Sequence, residues 1–209
     1  GNVKQLAKEW QDAPMAVPRN PVRTHLNLKD ILAKGRARGE TVLIANAVDE
    51  EAPDQDTLTI NERNTLKRLA DNKTQSLPAV LPLLKGEKYI LKRTFQPNGA
   101  EFGLVNGAEC ILEEITLDER EGEIRVGKEV HELKYLPQSL TLRFSDSTMQ
   151  MPLKPLTDRQ LIPLLPESKS ITHVMNKKTG YKVKFKRTQF CLSPARVMTA
   201  HASQGRTCS

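Results

Sequence analysis

The feature that most limits this chain's fold is a change of pattern near residue 76. Before it, apolar residues recur at helical spacing, and one strand is apolar without alternation. Met15-Ala16-Val17 reads as a short buried strand. Asn20 is placed to N-cap a helix and Pro21 to open it. Val22, Leu26, Leu28, Ile31 and Leu32 give that helix its apolar stripe, and Gly39 stops it. Thr41-Val42-Leu43-Ile44-Ala45 has the pattern of a strand covered on both faces. Asp49 to Asp56 reads as an acidic loop. Thr59 and Glu62 have capping-box spacing and predict a helix running to Leu69.

After residue 76 the runs shorten, and prolines and glycines separate them. Lys88–Thr94, Cys110–Ile115, Ser139–Phe144, Ile171–Met175 and Tyr181–Phe185 are strand candidates. Asn98-Gly99, Asn106-Gly107 and Thr179-Gly180 mark turns. Regular short strands of this kind predict a small β-barrel or open sandwich. Past residue 188 the pattern turns back. Phe190-Cys191-Leu192 predicts a strand, Ser193 an N-cap, Pro194 a first helical position, and Ala195–Ser203 a helix ended by Gly205. The simplest architecture is a β module set into an α/β domain, with divisions at 1–75, 76–188 and 189–209.

Composition narrows the function classes. Three cysteines in 209 residues are too few for a disulfide scaffold. No apolar run is long enough for a membrane-spanning helix. The formal charge of +7 hides an asymmetry. Glu109–Glu132 holds nine acidic and three basic residues, whereas Glu167–Ser209 holds nine lysines and arginines against one acid. Such a basic segment suits a polyanion, and Lys182 and Lys184 are its candidate contacts. A solvated lysine-rich hairpin would have the same composition. The chain opens on Gly1-Asn2-Val3 and stops just after its most motif-like stretch, so it reads as a fragment of a longer protein.

Most local motifs have a plainer reading. Asp49-Glu50 ends an apolar strand, as a Mg²⁺-binding pair would. No Gly-x-x-x-x-Gly-Lys-Ser/Thr loop accompanies it in this chain, so it reads as the start of the acidic loop. His201-Ala202-Ser203-Gln204-Gly205 partly matches a serine-nucleophile elbow, but its predicted helix precedes the serine instead of following it. His25, His131, His173 and His201 lack tight metal-ligand spacing, which argues against a zinc site. His25 reads as a surface or partly buried residue and Cys191 as core. Arg19, Asn20 and Arg23 flank a helix N-terminus that could receive phosphate. Capping by Asn20 and ion pairing by the arginines is the plainer alternative.

Taken together, three segments resemble one family. Phe190–Thr207, containing Thr199-Ala200-His201-Ala202-Ser203-Gln204-Gly205-Arg206-Thr207, looks like motif V of Pif/RecD-like superfamily-1B DNA helicases. Pro18–Asn27 looks like motif IV. Leu81–Ile90 with Gly103-Leu104-Val105-Asn106-Gly107-Ala108 looks like the entry to the family's 2B insertion. The resemblance covers nearly the whole chain. It implies an α/β fold: a partial RecA-like domain, 2A, interrupted by a small Src-homology-type β-barrel, 2B.

The resemblance further implies an ATP-dependent 5′→3′ DNA helicase in genome maintenance, repair and recombination. Thr199, His201 and Ser203 would touch or adjoin the DNA backbone. Gln204 and Gly205 would couple that contact to the nucleotide cleft, with Arg19 and Asn20 on its 2A side. ATP and Mg²⁺ would be the cofactors, held mainly outside this chain, and no metal site is expected within it. The phosphate loop, the metal-binding Asp-Glu motif and the final arginine motif are absent, so this chain alone is expected not to hydrolyse ATP. Ala202 stands where many members have Lys, at the cost of one phosphate contact. The expected partner is single-stranded or forked DNA, with no membrane, a monomeric state and a nuclear or mitochondrial location. Two other readings stand beside this one: a non-catalytic remnant that holds single-stranded DNA, and a protein-interaction barrel.

Overall fold

The computed structural model describes residues 13–53, 57–95, 99–100, 103–124, 128–144 and 161–199. A short strand, β1 (Met15–Val17), leads into the long helix α1 (Asn20–Arg38). The helix begins one residue earlier than its sequence suggests. Arg19 takes the extended N-cap position and makes no side-chain cap bond, while Asn20 is already helical. Gly39 ends it at a φ of 67°, the left-handed conformation that glycine adopts without strain.

Next come β2 (Val42–Asn46) and β3 (Val48–Glu51). The expected acidic loop therefore begins as a strand. It is held there because Val48–Glu51 pairs antiparallel with a much later strand. The helix α2 (Ile60–Lys67) carries the expected capping box: Thr59 Oγ1 accepts from the Glu62 N–H at 3.3 Å, and the Glu62 carboxylate accepts from the Thr59 N–H at 2.8 Å. A single 3₁₀ turn follows at Asp71–Lys73.

The rest of the described chain is β-structure: β4 (Val80–Leu83), β5 (Lys88–Leu91), β6 (Glu109–Thr116), β7 (Val130–Glu132), β8 (Ser139–Phe144), β9 (Leu161–Leu164), β10 (Glu167–Asn176), β11 (Tyr181–Gln189), β12 (Leu192–Pro194) and β13 (Val197–Thr199). Four sheets result, in the orders β1-β13, β10-β11-β3, β12-β5-β6-β8-β9 and β4-β2-β7. The helix expected over Ala195–Ser203 is replaced, as far as Thr199, by a turn and β13. Ser193 and Pro194 lie in β12, paired with Ile90 and Tyr89. The local Ser-Pro helix signal loses to pairing with distant strands. The expectation for residues 200–203 lies outside the described residues. β1 is more exposed than its sequence suggests, since Met15 keeps 39% of its surface.

β2 shows why a strand can be apolar throughout. Val42 and Ile44 pack against Ile31 of α1 and Leu84. Leu43 and Ala45 face the opposite way, into the largest core, with Leu81, Tyr89, Leu112, Leu142, Phe144 and Phe190. Gly35 of α1 lies against the same strand, where an added Cβ would come within 2.5 Å of Val42 Cγ2. Tyr89 is fully buried with its hydroxyl satisfied, donating to the Pro82 carbonyl at 3.0 Å and accepting from the Leu84 N–H at 3.0 Å. A third cluster, Leu58, Leu66, Ile171, Val183 and Phe185, fills the space under the β10–β11 hairpin.

Candidate nucleic-acid interface

β1 and β13 run parallel, with Met15 opposite Val197 and Val17 opposite Thr199. Both strands therefore end on the same side. Arg19 and Asn20 follow one of them, and Thr199 closes the other. The C-terminal ends of parallel strands are where open α/β sheets commonly build ligand sites. Arg19 is exposed and Asn20 half-buried. The Asn20 side chain is not the helix cap.

Beside this edge lies a cavity of about 250 Å³. Arg23 of α1, Lys92 just past β5, the Asn106-Gly107 turn, Ser193, and Val197 to Thr199 contribute to its lining. Local chemistry explains each placement. Arg23 sits one helical turn after Arg19, and its N–H donates to the Arg19 carbonyl at 3.1 Å. Lys92 is fixed by its N–H donating to the Cys191 carbonyl at 3.0 Å, which continues the β5–β12 pairing. Gly107 has a φ of 95°, and its N–H donates to the Leu91 carbonyl at 2.8 Å.

One carboxylate organises the charge. Asp71, 5% exposed, lies 2.8 Å from Arg23 Nη2 and 3.8 Å from Lys92 Nζ. Arg23 is itself buried, and its Nε has no hydrogen-bond partner among the described residues. Two cations share one anion beside the cavity, with the hydroxyls of Ser193 and Thr199 and the amide of Asn106 near them. Positive charge beside neutral donors is the chemistry that phosphodiester oxygens accept from. Among the described residues no group of three His, Cys, Asp or Glu could hold a metal ion.

Lys182 and Lys184 are on another sheet. They alternate in β11 with the buried Val183 and Phe185, so they face solvent. Their neighbour Lys186 meets Glu50 at 3.3 Å. Arg187 points inward, completely buried, and makes a bidentate pair with Asp49 at 2.7 Å for both contacts. Asp49 is thus committed to an arginine in this fold. His201, Ser203, Gln204 and Gly205 lie outside the described residues. Sequence reasoning passed over Lys92, Asn106 and Gly107 as site residues, and over the pairing of Arg23 with Asp71. The available signal was the Leu-Val-Asn-Gly segment, whose closeness to Thr199 only the fold reveals.

No protein-family model matches the chain, and no curated protein matches it. Solved structures do. The crystal structure of Pif1 helicase from Candida albicans superposes with a TM-score of 0.52 at 16% identity, over 94% of this chain and 38% of that one. The fold is a Pif1-like helicase fold. Bacteroides Pif1 bound to single-stranded DNA gives a TM-score of 0.48 at 17% identity, over 93% of this chain and 32% of that one. Bacteroides Pif1 with ADP-AlF3 and single-stranded DNA gives 0.47 at 17%, over the same shares. The chain thus spans well under half the length of these helicases. The described residues are mixed α/β, the class the sequence predicts, with several sheets and few helices.

Proposed function

We propose that this chain is the DNA-tracking part of an ATP-dependent 5′→3′ DNA helicase and that the cavity beside Thr199 holds the backbone of single-stranded DNA. The supporting observation is convergence. Three segments that resemble helicase motifs, lying around Arg23, Asn106-Gly107 and Thr199, line one cavity although they are far apart in sequence. In this reading residues 1–75 and 189–209 belong to a RecA-like domain, and 76–188 form a Src-homology-type barrel. Thr199, His201 and Ser203 contact or adjoin the DNA backbone, and the outward lysines Lys182 and Lys184 extend the contact. Gln204 and Gly205 couple that contact to the nucleotide cleft, and Arg19 and Asn20 belong to its 2A side. ATP and Mg²⁺ are held mainly by parts of the protein outside this chain, so the chain alone binds DNA without hydrolysing ATP. Backbone contact suits an enzyme that moves along any sequence.

The test is binding of a fluorescent oligo-dT to the 209-residue chain between 50 and 200 mM salt. The logarithm of affinity should fall linearly with the logarithm of salt, by about 0.7 per phosphate neutralised. Lys92→Gln and Lys184→Gln should each lower that slope by about one contact. No binding at low salt, or a flat response, would overturn the reading. In the longer protein, His201→Ala and Ser203→Ala should abolish DNA-stimulated ATP hydrolysis without unfolding it.

A further inference from the structure

Asn27 lies on α1 one turn beyond Arg23 and is 2% exposed. All the hydrogen bonds of its side chain go to one distant stretch of main chain. Nδ2 donates to the carbonyls of Pro194 at 3.1 Å and Val197 at 3.0 Å. Oδ1 accepts from the Val197 N–H at 2.8 Å. Two acceptors on one side and a donor on the other fix which way the amide points. The bonded segment leads from β12 into β13, so this side chain ties β13, and with it Thr199, to the helix. β13 has three described residues and pairs, among the described strands, with β1 alone. The Met15 N–H also donates to the Arg196 carbonyl at 2.8 Å, and Asn27 adds its three bonds to that hold.

The charged groups around it are already engaged. Arg23 pairs with Asp71, and Arg196 of the held turn lies 3.5 Å from Asp30 of α1. The amide therefore has no charge to neutralise. Its geometry serves to register main chain.

We infer that Asn27 is a positioning residue, which registers β13 so that Thr199 meets a phosphate on the same side as Arg23. The inference rests on the DNA-backbone reading above. It makes one helix face carry both a cation of the site and the device that sets the opposite wall.

The experiment is a double-mutant cycle on the 209-residue chain, using Asn27→Ala, Thr199→Ala and the two combined, with oligo-dT affinity measured across salt. Loss of the Asn27 bonds should weaken binding by about tenfold or more. The salt slope should keep its wild-type value, because no cation has been removed, whereas Lys92→Gln lowers it. Thr199→Ala should cost little further once Asn27 is gone. Losses that multiply, or wild-type affinity in Asn27→Ala, would overturn the positioning role while leaving the DNA reading intact. Absence of wild-type binding would overturn both. If Asn27→Ala does not fold, amide exchange of the wild-type chain decides. A registered β13 shows the Val197 amide protected before DNA is added, and protection that appears only with DNA overturns the inference.

Discussion

Arg187 has the most constrained side chain of the hairpin. It is fully buried, grips Asp49 with two bonds, donates to the Leu66 carbonyl at 3.0 Å and leans on the Phe185 ring at 5.4 Å. Removing one partner of such a pair strands a buried charge. Asp49→Ala should therefore destabilise the chain by about 3 kcal/mol, the low end for a buried pair because Asp49 keeps some contact with water. Urea unfolding checks this. Adding Arg187→Met should recover much of the loss, since the charge leaves with its partner.

Burial acts differently on thiols, by disfavouring the charged form. It pushes Cys110 and Cys191 up to about 12. Neither should react with iodoacetamide at pH 8 until the chain unfolds, which site-mapped mass spectrometry can follow. On the surface, two side-chain bonds from Arg120, joined by one from its backbone N–H, pull the Asp118 carboxyl down to about 2. The sign follows from that depression. Any stabilisation by this pair is present above the ordinary carboxylate range and is lost as pH falls towards 2. A carbon NMR titration should show the low midpoint, and Arg120→Ala should return it to the ordinary range.

Among the elements, α1 and β2 show how closely helix and strand approach. Alanine is the better helix former by about 1 kcal/mol. Gly35→Ala should nonetheless destabilise, because the new Cβ meets Val42 at 2.5 Å and overpacking a core costs about 1–3 kcal/mol. A net loss in urea midpoint is the expected result. The same elements show what could be read in advance. The Thr59–Glu62 box and the Gly39 stop were legible because every bond they need lies within a few residues. The double-faced β2 was legible because burial on both sides leaves no polar position. The stretch after Ser193 was not. Its helix signal is local, whereas Asn27 and β1 reach it from the other end of the chain. Of the candidate site, Thr199 could be singled out by resemblance. The Arg23–Asp71–Lys92 arrangement could not, because no spacing rule joins a helix, a 3₁₀ turn and a strand end.

Considered whole, the molecule has no clean seam at β2. One face of that strand completes the core under α1 and the other completes the main β core, so neither can melt and leave the other intact. Thermal unfolding should show a single transition, with coincident far- and near-ultraviolet circular dichroism. Two separated transitions would mean that the cores are less coupled than β2 makes them.

The pairing of β1 with β13 also bears on how the chain is made. β1 is synthesised some 180 residues before its partner. β3 likewise waits for β11. At ordinary elongation rates that interval is on the order of ten seconds or more, a long time for strand edges to stand unpaired. Synthesis of this chain should therefore depend on chaperones that shield β1 and β3, and its yield should fall when translation is slowed within the intervening stretch.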